Sequence, residues 1–259
     1  MILDRKRIQA ILDAPHSFYG SGEAPVRNDA RFHPGACDFL GTQFTTSMRV
    51  LDLGCGNGTT LLAHSQRFQS GLGVDHDPTH IQLAQRALQA QSVSNVEFRL
   101  LDMLREGDQL EANSFDFVFS QRGPLGDTEA DIQAALRVLR PDGMLFCETI
   151  GNLHHQEVYA VFNNNDPLNK RSIRTSTQLR DTLQRNCLHI RLVSDIISKR
   201  YYPDIYAWLH FQSSVWGWLG VPMPAADDPR FEEFAVRYTS VAGEIETTHH
   251  VVWVAGVKQ

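Results

Sequence analysis

The chain has 259 residues, of which 42% are hydrophobic and 21% charged, and a formal net charge of −6. This is the composition of a globular protein with one sizeable core and an accessory layer, and its acidity excludes the basic excess by which dedicated nucleic-acid binders meet phosphate. Cys37, Cys55, Cys147 and Cys187 lie far apart with no paired spacing, which excludes a disulfide framework and a zinc knuckle and leaves reduced thiols.

In chain order, the charges from Asp4 to Arg7 stand where a signal peptide would carry its apolar run, and no later segment has the length of a membrane span. The expectation is a cytoplasmic protein with no membrane partner. Residues 1–48 read as an N-terminal helical segment or cap, with Phe18 and Tyr19 ahead of the first core strand. Short runs rich in strand formers follow at 49–54, 71–75, 96–102, 115–120, 143–151, 189–198 and 250–258. Between them, 79–91, 128–140 and 175–186 carry apolar residues at helical spacing behind Thr or Ser capping candidates, and Arg140 to Gly143 read as a turn. This alternation predicts an α/β fold with a doubly wound, seven-stranded, mainly parallel, Rossmann-like sheet. The expected layout is a core at 49–200, an insertion at 201–248 between the last two strands, and a final core strand at 249–259.

The stretch "VLDLGCGNGTTLL" places a buried strand, a glycine loop and a helix in succession, the first crossover of such a sheet and therefore a ligand crevice. Gly54, Gly56 and Gly58 are spaced G-x-G-x-G, which matches neither the dinucleotide fingerprint nor a P-loop. Asp52 precedes the loop and no Lys or Arg lies within it, an arrangement poor for phosphate but tolerable for a ligand bearing an ammonium group. Asp75 ends the next strand about twenty residues on, where a carboxylate accepts from ribose hydroxyls. Asp102 ends the third, where it could accept from an adenine amino group while Met103 packs on the ring.

Taken together, "VLDLGCGNGTT", "GVDHD", "LLDM", "FDFVFS" and "LRVLRPDGMLF" resemble the class I S-adenosylmethionine-dependent methyltransferases from about Arg49 to Ile150. The resemblance implies S-adenosyl-L-methionine as cofactor and S-adenosyl-L-homocysteine as product. It places the methionine end at Asp52, Gly54, Gly56 and Gly58, the ribose at Asp75 and the adenine at Asp102, with His76, Met103 and Ser120 as pocket neighbours. Because a sulfonium is already an activated methyl donor, orientation and water exclusion suffice for much of the chemistry, so the lack of a catalytic triad is no objection.

The acceptor side is less determined. Where some relatives that methylate base amines carry an Asn/Asp/Ser-Pro-Pro-aromatic motif, this chain has Ser120, Gln121, Arg122, Gly123 and Pro124. Arg122 could pair with an acidic acceptor or the cofactor carboxylate, or equally form a structural salt bridge. The aromatic-rich insertion, with Trp208, Phe211, Val215 and Trp218 at helical spacing, is expected to be a lid helix over an apolar chamber for a small organic acceptor. His154 and His155 after the fifth strand, and His249 and His250 at the seventh, are the candidate bases; no metal site is expected. The competing readings are an RNA or protein methyltransferase, resting on Lys170, Arg171, Arg174, Lys199 and Arg200, and a catalytically silent cofactor-binding partner. The expected state is a monomer or homodimer.

Overall fold

The strands foreseen from residue 49 onward all form in the computed structural model, which describes residues 3–14, 27–28, 36–126, 128–162 and 175–259. Phe18, Tyr19, Lys170, Arg171 and Arg174, and the side chain of Trp218, lie outside the described residues. The strands are β1 (Arg27–Asn28), β2 (Arg49–Leu53), β3 (Ser70–Asp75), β4 (Val96–Leu100), β5 (Phe115–Gln121), β6 (Leu139–Ile150), β7 (Leu188–Tyr202) and β8 (Ile245–Lys258). The helices are α1 (Arg5–Leu12), α2 (Ala36–Gln43), α3 (Thr59–Ala63), α4 (Pro78–Gln91), α5 (Met103–Glu106), α6 (Glu129–Val138), α7 (Gln156–Phe162), α8 (Ser176–Arg185), α9 (Ile205–Leu219) and α10 (Arg230–Tyr238).

Strand order is β1-β7-β8-β6-β5-β2-β3-β4, so a two-residue edge strand joins the seven that were expected. Neighbours β4-β3-β2-β5-β6 pair in parallel and β6-β8 antiparallel. Because the central strands are covered on both faces, they read as unbroken apolar runs. Alternation sends Leu51, Leu53, Val118 and Leu145 to one buried cluster, and Val50, Phe117, Phe119 and Phe146 to another. Helices α6 and α8 supply Ile132, Ala135, Leu179 and Leu183 to the first cluster, while α2, α3 and α4 supply Leu40, Leu61 and Ile81 to the second. The chain order reverses direction across β2 and β5, the place where open α/β sheets bind ligands.

The turn expected at Arg140 to Gly143 instead lies inside β6, as an irregularity. Phe115 pairs with Leu139 and Phe117 with Met144, so the intervening residues bulge, with Asp142 at φ +61°. Asp116 clasps this bulge: its carboxylate accepts the Arg49 N–H at 2.5 Å and pairs with the Arg140 guanidinium.

The described residues fall into two units. The core unit holds 36–126, 128–152, 175–196 and 251–259; the accessory unit holds 3–14, 27–28, 153–162 and 197–250. The accessory unit thus recruits the N-terminal helix and α7 as well as the insertion. Its own core includes Ile8, Phe162, Trp208, Trp216, Phe231 and Phe234, with the rings of Trp208 and Phe234 stacked at 4.1 Å. Asp4 caps α1 by accepting the Lys6 and Arg7 N–H groups, and its own N–H donates to the Tyr206 hydroxyl at 2.8 Å. The buried stripe of α9 differs from the expected one: Trp208 is buried, but Phe211 and Val215 are partly exposed and Ile205, Leu209, Gln212 and Trp216 complete the inner face. The helix rotates to bury Gln212, Ser213 and Ser214 along with its apolar residues. Among the described residues no helix is long and apolar enough to cross a membrane.

Candidate functional site

The loop after β2 is held by β3. The Gly54 and Cys55 N–H groups donate to the Val74 carbonyl at 2.9 and 3.0 Å, and Gly54, Gly56 and Gly58 adopt φ of +76°, +53° and +77°. Left-handed backbone of this kind is open to glycine without a steric cost. The glycines do different things. A Cβ at Gly58 would stand 2.3 Å from the Phe98 ring and one at Gly54 3.0 Å from Pro124, so these two let the protein's own side chains close around the loop. Gly56 instead turns its N–H onto Asp75 Oδ2 at 2.9 Å, while Asp75 Oδ1 accepts the Asp77 N–H at 3.0 Å. Asp75 is buried, and the imidazole of His80 lies 3.4 Å from its Oδ2. Each carboxylate oxygen has a second lone pair, so both can still accept from a ligand hydroxyl.

Asp52 is buried to 3% exposure and its pKa stands well above the ordinary value, first because burial disfavours the anion and second because Asp75 is a like charge beside it. The same surroundings raise the Cys55 thiol. A buried carboxyl whose charged neighbour is another carboxylate fits a ligand that brings its own cation, and this is the observation on which an ammonium-bearing ligand fits the loop. Asp102 caps α5 by accepting the Leu104 N–H at 3.0 Å and lies 3.5 Å from Arg105, yet stays about one-third exposed. The three expected pocket neighbours differ in exposure. Met103 is buried in the core cluster with its sulfur beside Gly107, and the buried Ser120 hydroxyl donates to the Leu53 carbonyl at 2.8 Å, bracing the start of the loop. His76 is largely exposed, 3.7 Å from Asp75.

At the end of β5, the Gln121 side-chain oxygen accepts from the Thr60 hydroxyl at 2.5 Å, tying β5 to α3. Arg122 follows in left-handed backbone at φ +57°, its N–H donating to the Glu148 carbonyl at 2.7 Å and its guanidinium 3.5 Å from the Glu148 carboxylate. The same carboxylate accepts the Trp253 indole N–H at 2.6 Å. Of the two roles weighed for Arg122, the structure realises the internal salt bridge, with a guanidinium still about half exposed.

The candidate bases all belong to the accessory unit and all are buried. His154 Nδ1 accepts the His250 N–H and His250 Nδ1 accepts the Leu153 N–H, each at 3.2 Å, so these rings serve the backbone. His155 stacks on His154 at 4.1 Å and has φ +51°. Burial, reinforced by the nearby Arg200, pushes its pKa down to about 3. Beside them lies a network that the sequence did not announce. Glu157 accepts the Thr248 N–H at 2.9 Å, the Thr248 hydroxyl at 2.5 Å and Lys199 Nζ at 3.1 Å, and Lys199 also reaches Glu246 at 3.1 Å. Burial alone would raise the Glu157 pKa; these donors outweigh it and hold it below the ordinary value. The only hint in the sequence was the polar runs "ETTHH" and "SKRYY" within the last two strands. Among the described residues no group of His, Cys, Asp and Glu is arranged to hold a metal ion.

Residues 44–207, more than half of the chain, match the family described as "Methyltransferase domain". A ubiquinone biosynthesis O-methyltransferase of Acinetobacter baylyi is 26% identical over 115 residues, 44% of this chain and 48% of the relative, so the chain spans about half the length of that curated protein. Among solved structures, the YcgJ protein of Bacillus subtilis aligns with a TM-score of 0.61 at 19% identity, over 86% of this chain and 98% of its own. The geranyl diphosphate C-methyltransferase of Streptomyces coelicolor, solved with Mg2+, geranyl diphosphate and S-adenosyl-L-homocysteine, aligns with a TM-score of 0.56 at 14% identity, over 86% and 76%. These two likenesses are of fold.

Proposed function

The chain belongs to the class I S-adenosylmethionine-dependent methyltransferases, and we propose that it transfers the methyl group of that cofactor to a small organic acceptor. The observation that carries the reading is the acidic, cation-free loop: Asp52 and Asp75 flank Gly56, an arrangement hostile to phosphate and receptive to an ammonium and a diol. Asp52 with the backbone of Gly54 and Gly56 would hold the methionine end, Asp75 the ribose and Asp102 the adenine amino group. The cofactor supplies a methyl group already activated by a sulfonium. What the chain contributes is orientation, which lowers such barriers by about 7–11 kcal/mol when reacting atoms are held in line, more than general base catalysis adds.

A proton acceptor is then a secondary need. Arg122, about half exposed at the end of β5, is our candidate for orienting an acidic group at the reacting centre. His155 at pKa about 3 is too weak a base to hold a proton near neutrality, which argues against it as the general base. We assign acceptor selection to the accessory unit. The RNA or protein reading loses one of its supports, because Lys199 is engaged by two carboxylates and so is not a free phosphate contact.

Calorimetry tests the reading directly: S-adenosylmethionine and S-adenosylhomocysteine should bind, and NAD and ATP should not compete. Turnover of a metabolite panel, read as S-adenosylhomocysteine release, should find a small acceptor. Tight NAD binding with no response to S-adenosylhomocysteine overturns the proposal; cofactor binding with no turnover of small molecules, proteins or RNA favours a silent binding protein.

A further inference from the structure

Strand β7 lies next to the end of the sheet. Beyond it stands only the short β1, which pairs with it at Arg200 and Tyr201, so from Leu188 to Lys199 no described strand meets its outer edge. An open edge presents a row of backbone N–H and C=O groups to any chain that can pair with them, and proteins commonly blunt such edges with lysine or proline. Between Leu188 and Ser198 this strand has neither. Its residues alternate instead: His189, Arg191, Val193 and Asp195 are exposed, while Ile190, Leu192 and Ile196 pack partly buried against the core clusters. Val193, although apolar, is 41% exposed.

The exposed row is self-complementary. Two copies of β7 laid antiparallel, with a twofold axis at Val193, put Arg191 of each opposite Asp195 of the other and Val193 opposite itself. Directly opposed side chains share a face, so solvent-facing residues meet one another and the partly buried Ile190 meets Ile196. Moving the axis to Leu192 or to Ser194 sets Arg191 or Asp195 against Val193 and loses both ion pairs. A carboxylate accepts several donors, so this pairing of Asp195 is compatible with a contact inside its own chain.

We infer that the outer edge of β7 is the seam of a homodimer, in which a second copy of this chain adds antiparallel along residues 190–196. The inference is independent of the methyl-transfer reading. Backbone hydrogen bonds supply the affinity. The two Arg191–Asp195 pairs and the central pair of Val193 side chains fix the register, each contact occurring in the self-matched manner of an isologous interface.

The experiment is sedimentation of the full chain over a concentration series, and a monomer–dimer equilibrium is expected. Arg191→Asp and Asp195→Arg should each weaken it about tenfold, because each opposes like charges at two symmetry-related places. The double variant restores both pairs with their signs exchanged and should return to within about threefold of wild type. In wild-type protein, amide hydrogen exchange across residues 190–196 should slow as concentration rises, a readout that needs no variant. A chain that stays monomeric, a dimer indifferent to the single reversals, a folded double variant that does not recover, or exchange across β7 that ignores concentration overturns the seam.

Discussion

Asp75 braces the glycine loop and is our candidate ribose acceptor, and one substitution tests both. Asp75→Ala deletes the acceptor for the buried Gly56 N–H and for the partly exposed Asp77 N–H. Hydrogen bonds to charged groups contribute about 1.5–3 kcal/mol each, and the Asp77 N–H can turn to water, so the expected loss of apo stability is about 2–4 kcal/mol. Relief of the like charge beside Asp52 works against that loss and keeps it toward the lower end. At a urea slope of about 2 kcal/mol per molar, the midpoint falls by about 1–2 M. Total stabilities of about 5–15 kcal/mol leave the variant folded in water. Cofactor affinity should fall by a further one to two decades, because the ribose loses a charge-assisted acceptor. The assay pairs urea titration with calorimetry against S-adenosylhomocysteine. Asp75→Asn should lie between, since an amide keeps one acceptor oxygen and opposes the other N–H with its own donor. A folded Ala variant with unchanged midpoint and unchanged affinity would refute both duties.

Asp52→Asn should stabilise the apo protein near neutrality and weaken cofactor binding. Its raised pKa means that the native state favours the proton, so stability is greatest at low pH and declines as pH rises from the unfolded value toward the folded one; the Asn variant should flatten that decline in thermal melts. His155 has the opposite sign of dependence: its native pKa of about 3 lies below the ordinary 6.5, so stability is lost as pH falls through that window, by at most about 5 kcal/mol. His155→Gln should reduce the acid sensitivity, measured by urea midpoints between pH 7 and pH 4. Gly58→Ala meets Phe98 as well as a left-handed backbone, and about 2–5 kcal/mol of destabilisation follows from overpacking and conformational strain together; a melting temperature equal to wild type would contradict the loop geometry.

The glycine loop was legible because its determinants are local. A buried strand, three glycines and carboxylates at strand ends keep their meaning wherever the sheet sits. What the glycines make room for was not legible: Gly58 accommodates Phe98, a residue forty positions away. Ser120 and Met103 stand at strand ends, as read from the sequence, but their burial depends on packing that the sequence does not spell out. The segment from Arg140 to Gly143 carries the residues of a turn, and only the pairing of Phe115 with Leu139 shows it to be a bulge. The polar cluster of the accessory unit depends on α7, β7 and β8 meeting across 90 residues and more, as in the Thr248 contact with Glu157, and no sequence period encodes that.

The Asp116 clasp sits at the far end of β5 from Arg122. A side-chain period of two means that slippage by one residue would invert every face of a strand. Apolar, parallel strands such as β5 and β6 offer little else to resist it. By seizing the Arg49 backbone and the Arg140 side chain, Asp116 acts as a datum mark from which both neighbouring strands are measured out. Five pairings later, the count brings Gln121 level with Glu148, one residue before the guanidinium that Glu148 meets. An error at the datum would travel the length of the strands and turn Glu148 from both Arg122 and Trp253. The geometry around Arg122 is thereby set at the opposite end of the strand.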